Sequence, residues 1–322
     1  MLVPVLLFLL GFVLLIKGGD WFVDGAVGIA HRFHLSELLI GATVVSIGTT
    51  LPEVMVSSQA AIVGNGGISY GNAIGSVICN TSLIAALTVA IRPTSVDRKS
   101  LRLPVIAFFT AAALYAGFAY TTGRFTRWNG VLFLCLFVVY IVLTIFQMKK
   151  NPAQTAEEEE EAFKERPLWQ ELLMLVVGAA AIAVGADLLV DNGTLIAAAL
   201  GVPDSVIGLT MVALGTSLPE LVTAVTALVK KRSALSLGNI IGANLFNIVL
   251  VSGMAITIRP FAIPAEKTLA GQNASLLVDL PVMFLVMALL CLPTLKEGRL
   301  KRWQGIALLC IYAAFTVFQF AV

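Results

Sequence analysis

Ten apolar segments follow one another along the chain, at about 3–28, 38–63, 70–91, 103–121, 127–148, 168–198, 205–229, 236–258, 275–293 and 303–321. A bilayer's hydrocarbon core is about 30 Å thick and takes about 20 residues of helix, and inside it every backbone N–H and C=O must find a partner within the protein. Segments of this length and number commit the chain to helices that cross a membrane. Charged residues make up 12% of the 322 and hydrophobic ones 58%, which is about half the charged share of a soluble domain. The expected fold is therefore an all-α polytopic membrane protein with ten transmembrane helices, and the lipid bilayer is its first partner. A net charge of +2 leaves no electrostatic footprint for nucleic acid, and none is expected as a partner. Met1 to Ile16 lacks a basic n-region and reads as the start of the first span rather than as a cleaved leader.

The longest polar interruption, residues 149–167, carries Glu157 to Glu161 and reads as a solvated acidic linker on the cytoplasmic side. It separates residues 1–148 from 168–322, five spans each. Placing the N-terminus outside puts 16 of the 21 lysines and arginines on the cytoplasmic side, a strong positive-inside bias. The expected location is the plasma (inner) membrane, with both termini on the non-cytoplasmic side. Cys79, Cys135, Cys291 and Cys310 all fall in apolar runs with no ligand-like spacing, and read as small hydrophobes.

The two halves repeat each other at a constant offset of 167 residues. Asp20 and Asp24 match Asp187 and Asp191, Gly71-Asn72 matches Gly238-Asn239, and Asn80 matches Asn247. The register holds from residue 20 to 93 and is then lost. With five spans per half, the second copy enters the membrane from the opposite face, so the expected architecture is two inverted five-helix repeats. Such repeats hold their binding site at mid-membrane, where the halves meet. The four aspartates, towards span ends, read as capping or interhelical pairing groups.

The most telling match is Gly48-Thr49-Thr50-Leu51-Pro52-Glu53 with Gly215-Thr216-Ser217-Leu218-Pro219-Glu220. A glutamate at membrane depth is costly and marks a functional site by default. A proline inside a helix denies a donor to the carbonyl four residues before it, here Gly48 and Gly215. The expectation is that helices 2 and 7 are broken at these points, with carbonyl oxygens released beside the glutamates. Thr49, Thr50 and Glu53 fall on one helical face, as do Ser76 and Asn80 in the next span. The second half offers Thr216, Ser217, Glu220 and Asn247. Each donor in this set is an oxygen, which suits a hard cation such as calcium and not zinc or copper. Singly, a membrane Ser or Thr often bonds only its own helix backbone. The duplicated glutamates, each with Pro, Gly and Thr at fixed spacing, do not fit that reading. The glycine pairs Gly71/Gly75 and Gly238/Gly242 read as sites of close helix approach.

These two hexapeptides, with Gly71-Asn72-Ala73-Ile74-Gly75-Ser76 and Gly238-Asn239-Ile240-Ile241-Gly242-Ala243, resemble the paired alpha repeats of the sodium/calcium exchanger superfamily, here at 38–85 and 205–252. In overall layout the chain is similar to the prokaryotic sodium/calcium antiporters. The resemblance implies sodium-driven calcium exchange by alternating access, with spans 1 and 6 sliding across the other eight. It implies Glu53 and Glu220 as central calcium ligands, assisted by Thr49, Thr216 and backbone carbonyls near Ser46 and Ala213. It implies Thr50, Ser76 and Ser217 at sodium sites, with Asn80 and Asn247 lining the centre. Na⁺ and Ca²⁺ are then the substrates, and no cofactor is expected. Two positions depart from the pattern: Ala243 stands where the first repeat has Ser76, and Asn247 where some members carry aspartate. Proton/calcium exchange is the alternative coupling. An intramembrane hydrolase could use two acids, but gives no reason for the duplicated Thr and Pro, and a passive channel would carry calcium without a counter-ion.

Overall fold

The structure, a computed structural model, describes residues 2–150, 166–200, 215–265, 268–269 and 271–321. We number the helices α1 (Leu2–Arg32), α2 (Glu37–Ile62), α3 (Gly66–Ile91), α4 (Arg98–Thr122), α5 (Arg127–Lys150), α6 (Leu168–Ala199), α7 (Leu218–Val229), α8 (Ser233–Ile258), α9 (Ser275–Glu297) and α10 (Arg302–Ala321). α1 to α6, α8 and α9 are long and apolar enough to cross a membrane, while α7 as described is a shorter apolar helix. A two-residue antiparallel ribbon, β1 (Thr268–Leu269) with β2 (Gln272–Asn273), leads into α9. The acidic linker falls almost wholly on 151–165, and the first half of span 7 on 201–214. Both lie outside the described residues, and so does Ala213.

Among the described residues four of the long helices carry a π turn, α9 at Ser275–Asp279 among them, and those of α3 and α8 stand at matched places. α2 opens a π turn at Gly41–Val45, α3 at Asn80–Ala85 and α8 at Asn247–Val251. A π turn fits an extra residue into the helix and often marks a functional site. The hydrogen bonds it loosens are taken up by side chains. Ser46 Oγ donates to the Gly41 carbonyl at 2.7 Å, Ser252 Oγ to that of Asn247 at 2.9 Å, and Tyr140 Oη to that of Ala42 at 2.9 Å. The expected break at Pro52 does not occur: α2 stays helical from Ser46 to Ile62 with Pro52 inside. One missing N–H weakens a single turn, and the bonds on either side carry the helix through. In the second half the chain does turn, at Thr216–Ser217, before α7 starts at Leu218. Pro219 there lies in the first helical turn, where its missing N–H has no intrahelical partner to lose.

Packing divides the helices into two groups. α1 and α6 run antiparallel along a stripe of glycines: a Cβ on Gly11 would meet the Gly185 carbonyl at 2.8 Å, and one on Gly18 that of Gly178 at 3.0 Å. The remaining helices share one large core, in which α3 and α8 are the most enclosed. Within it α2 and α8 lie so close that a Cβ on Gly238 would collide with the Leu38 carbonyl, and one on Gly242 with Ser46 and Ala42. The close approach expected of Gly238 and Gly242 is therefore present. Gly71 and Gly75 differ, with no described atom within 4 Å, and border a cavity of about 280 Å³.

The repeat continues beyond residue 93 at a different offset. α4 and α9 each end on a left-handed glycine, Gly123 (φ 64°) and Gly298 (φ 71°), 175 residues apart. After each glycine the backbone clasps a loop of the other half: Val96 N–H donates to Gly298 O and Leu300 N–H to Thr94 O, both at 2.8 Å. The matching pair is Ile263 N–H to Gly123 O at 2.9 Å and Phe125 N–H to Phe261 O at 2.8 Å. At the start of α4, the Asp97 carboxylate accepts from the Lys99 and Ser100 amides at 3.1 and 3.0 Å. Burial pushes that carboxyl up, but the Ser100 and Lys99 hydrogen bonds outweigh it and hold the group below its ordinary range.

Candidate ion-binding site

The two signature glutamates meet where α2, α3, α7 and α8 pack together. Glu53 on α2 and Glu220 on α7 are both fully buried, and their carboxylates lie near enough for one charge to act on the other. Thr49, from the first half, lies beside the Glu220 carboxylate of the second. Thr50 and Ser46 are buried on α2, Ser76 and Asn80 on α3, Ser217 at the turn before α7, and Asn247 on α8. Thr216 is half-buried. Asn80 and Asn247 each occupy the first position of a π turn, which places them equivalently in the two halves.

Hydrogen bonding distinguishes part of this set from several other hydroxyls of the helices. Thr43, Thr81, Ser82, Thr144 and Thr294 all donate back to the carbonyl four residues earlier, at 2.5 to 2.8 Å. That is the ordinary behaviour of a membrane hydroxyl. Thr50 and Ser217 do not follow it. Their oxygens, both oxygens of Glu53 and of Glu220, and both side-chain polar atoms of Asn80 and of Asn247 are buried with no hydrogen-bond partner among the described residues. A buried carboxylate without a partner costs several kcal/mol, and here two lie within reach of each other's charge. A desolvated cation is the group that such an arrangement stabilises. Among the described residues no cluster of three or more His, Cys, Asp or Glu is present, so the donors are carboxylate, hydroxyl and amide oxygens. Ser46 differs in that its hydroxyl proton has two backbone acceptors in reach, Gly41 O at 2.7 Å and Asn239 O at 2.9 Å.

The sequence reading missed Asn72 and Asn239. Thr49 Oγ1 donates to Asn239 Oδ1 at 3.1 Å, and Thr216 Oγ1 to Asn72 Oδ1 at 3.4 Å. Each bond becomes the other when the halves are exchanged. The Gly-Asn repeat was the available signal, but nothing along the chain says which residue an asparagine faces. Thr223, one turn past Glu220, is likewise buried with no partner for its hydroxyl and has valine, Val56, as its counterpart.

The elements around the site touch it through glycine. Phe22 of α1 lies over Gly48, and Val190 of α6 over Gly215. At one end of α1, Lys230 binds Asp24 at 2.6 Å and Asp20 at 3.4 Å, and Arg32 binds the buried Glu171 of α6 at 3.0 Å. The pairing expected of Asp20 and Asp24 is thus present; Asp187 and Asp191 make no ion pair among the described residues.

Buried, paired carboxylates at the meeting point of helices from two halves, in an all-helical membrane protein, define an ion transporter. The sodium/calcium exchanger protein family matches residues 3–146 and 171–321, and the chain belongs to that family. The sodium/calcium exchanger MaX1 of Methanosarcina acetivorans is 30% identical, over 98% of each chain. The putative antiporter CaxA of Alkalimonas amylolytica is 36% identical over 99% of this chain and 98% of its own. Among solved structures, the sodium-calcium exchanger NCX_Mj soaked with Na⁺ and Sr²⁺ superposes with a TM-score of 0.82 at 34% identity, covering 97% of each chain. The protein is a transporter and not an enzyme.

Proposed function

We propose that this protein is an antiporter that exchanges Na⁺ for Ca²⁺ by alternating access and exports calcium using the inward sodium gradient. The observation that carries this reading is the pair Glu53 and Glu220, buried together, like the amides and hydroxyls around them, without hydrogen-bond partners among the described residues. Two carboxylates balance one Ca²⁺ or two Na⁺, so the ions compete for the same charge, and competition couples their fluxes. In this reading Glu53, Glu220, Thr49 and Thr216 bind calcium, with backbone carbonyls near Ser46 and Ala213. Thr50, Ser76 and Ser217 bind sodium, and Asn80 and Asn247 line the centre. The two five-helix halves are inverted copies joined by a cytoplasmic linker, both termini lie outside, and α1 with α6 slides across the remaining helices. The glycine stripe between α1 and α6 supports their moving as one unit.

In vesicles carrying a sodium gradient, Glu53→Gln and Glu220→Gln are each expected to abolish ⁴⁵Ca²⁺ uptake. Full uptake by either variant would remove that glutamate from the site. Proton coupling is separated by imposing a pH gradient without sodium, under which no calcium uptake is expected. The amides of Asn80 and Asn247 carry no exchangeable charge, and this favours sodium.

A further inference from the structure

A hydroxyl has one proton to give and two lone pairs with which to accept. Beside a cation it must turn its oxygen towards the ion, so its proton has to rest on an acceptor elsewhere. For Thr49 that acceptor is Asn239 Oδ1 at 3.1 Å, closer than the Ser46 carbonyl at 3.5 Å. For Thr216 it is Asn72 Oδ1 at 3.4 Å. The acceptors cross between the halves: each threonine is held by an asparagine of the other repeat.

The two asparagines are not held alike. Asn72 Nδ2 donates to the Glu53 carbonyl at 3.1 Å and to Ser57 Oγ at 2.8 Å. A carbonyl can only accept, so the amide group is fixed with its oxygen towards Thr216, and it is tied to the backbone of the glutamate itself. Asn239 is fully buried, but its Nδ2 has no hydrogen-bond partner among the described residues. The counterpart of Ser57 in the second half is Ala224, which has nothing to offer it.

We infer that Asn72 and Asn239 are positioning residues for ion exchange: they take the hydroxyl protons of Thr216 and Thr49, so that both threonine oxygens face the ion. They bind no ion themselves. The inference rests on the reading of Thr49 and Thr216 as ion ligands, and the test separates the two.

Calcium binding to the purified protein is measured by equilibrium titration without sodium, for Thr49→Val, Asn239→Leu, Asn239→Asp and the double variant Thr49→Val/Asn239→Leu. Loss of one charge-supported hydrogen bond is expected to weaken binding about five- to tenfold in Asn239→Leu. Asn239→Asp keeps an acceptor oxygen for the Thr49 proton and adds a carboxyl near the cation, so binding at least as tight as that of the unaltered protein is expected. The double variant should bind no more weakly than Thr49→Val alone, because the asparagine acts only through the threonine. If Thr49→Val leaves affinity unchanged, the ligand reading of Thr49 fails. If Thr49→Val weakens binding and Asn239→Leu does not, or if the two losses multiply, the positioning role fails and Asn239 is merely packing between helices. The same cycle on Thr216 and Asn72 is expected to show the larger coupling, since Asn72 is fixed by two further bonds.

Discussion

At the scale of single residues, the site has one conspicuous inequality. Ser76 and Ala243 hold the same place in the two halves, and both are buried, so the second half lacks a hydroxyl that the first one has. Ala243→Ser restores it. In a sodium titration of calcium binding, this variant is expected to shift the midpoint about three- to tenfold towards lower sodium, as one added oxygen donor to a cation would. An unmoved midpoint would show that position 243 is remote from any sodium. The glutamates could be read from the chain because an ionised side chain at membrane depth is too costly to be incidental. Thr50 and Ser217 could only be nominated, since hydroxyls such as Thr43 and Thr81, which bond their own backbone, look the same in sequence. Asn72 and Asn239 were out of reach, because each takes its role from a threonine of the opposite half.

At the scale of helices, the apolar segments located the spans well, because length and hydropathy follow directly from the bilayer. Their interiors were less legible. A π turn adds one residue to a helix whose lipid-facing and protein-facing sides are both apolar, so no hydrophobic stripe slips out of phase to reveal it. Pro52 misled for a related reason: a proline weakens one turn, and whether the helix then breaks depends on the neighbours, which differ between α2 and α7. The α1–α6 contact gives a sharper test. A Cβ on Gly178 would lie 2.5 Å from the Phe22 amide nitrogen, so Gly178→Leu is expected to drive the pair apart. The cost of overpacking is roughly 1–3 kcal/mol, read as a lowered thermal unfolding midpoint in detergent together with loss of exchange. A variant with unchanged midpoint and transport would show that this contact is slack.

At the scale of the molecule, the duplication goes further than the sequence allowed. The clasps after Gly123 and Gly298 are counterparts, but the spacing has grown from 167 to 175 residues, and an insertion of that size erases a constant register. The symmetry also has charged exceptions, of which Lys230 is one. Lys230 ties α1 to the loop between α7 and α8, whereas its counterpart is Val63, so the matching place in the other half has no cation. Such partly exposed pairs contribute about 0.2–1 kcal/mol. Lys230→Met is therefore expected to change the exchange rate only two- to fivefold, whereas complete loss of exchange would give Lys230 a larger part than a surface tie.

The clasps themselves bear on how motion in this protein could be watched. Backbone bonds at two separate places stitch each half to the other, so α3, α4, α8, α9 and α10 form a frame that has little room to flex. Cys135 on α5 and Cys310 on α10 are both exposed, and α5 packs along α8 and α10 along α3. Spin labels on these two native cysteines form a ruler fixed to the frame. Its distance distribution should stay the same in sodium and in calcium, while a third label placed on α1 moves against it.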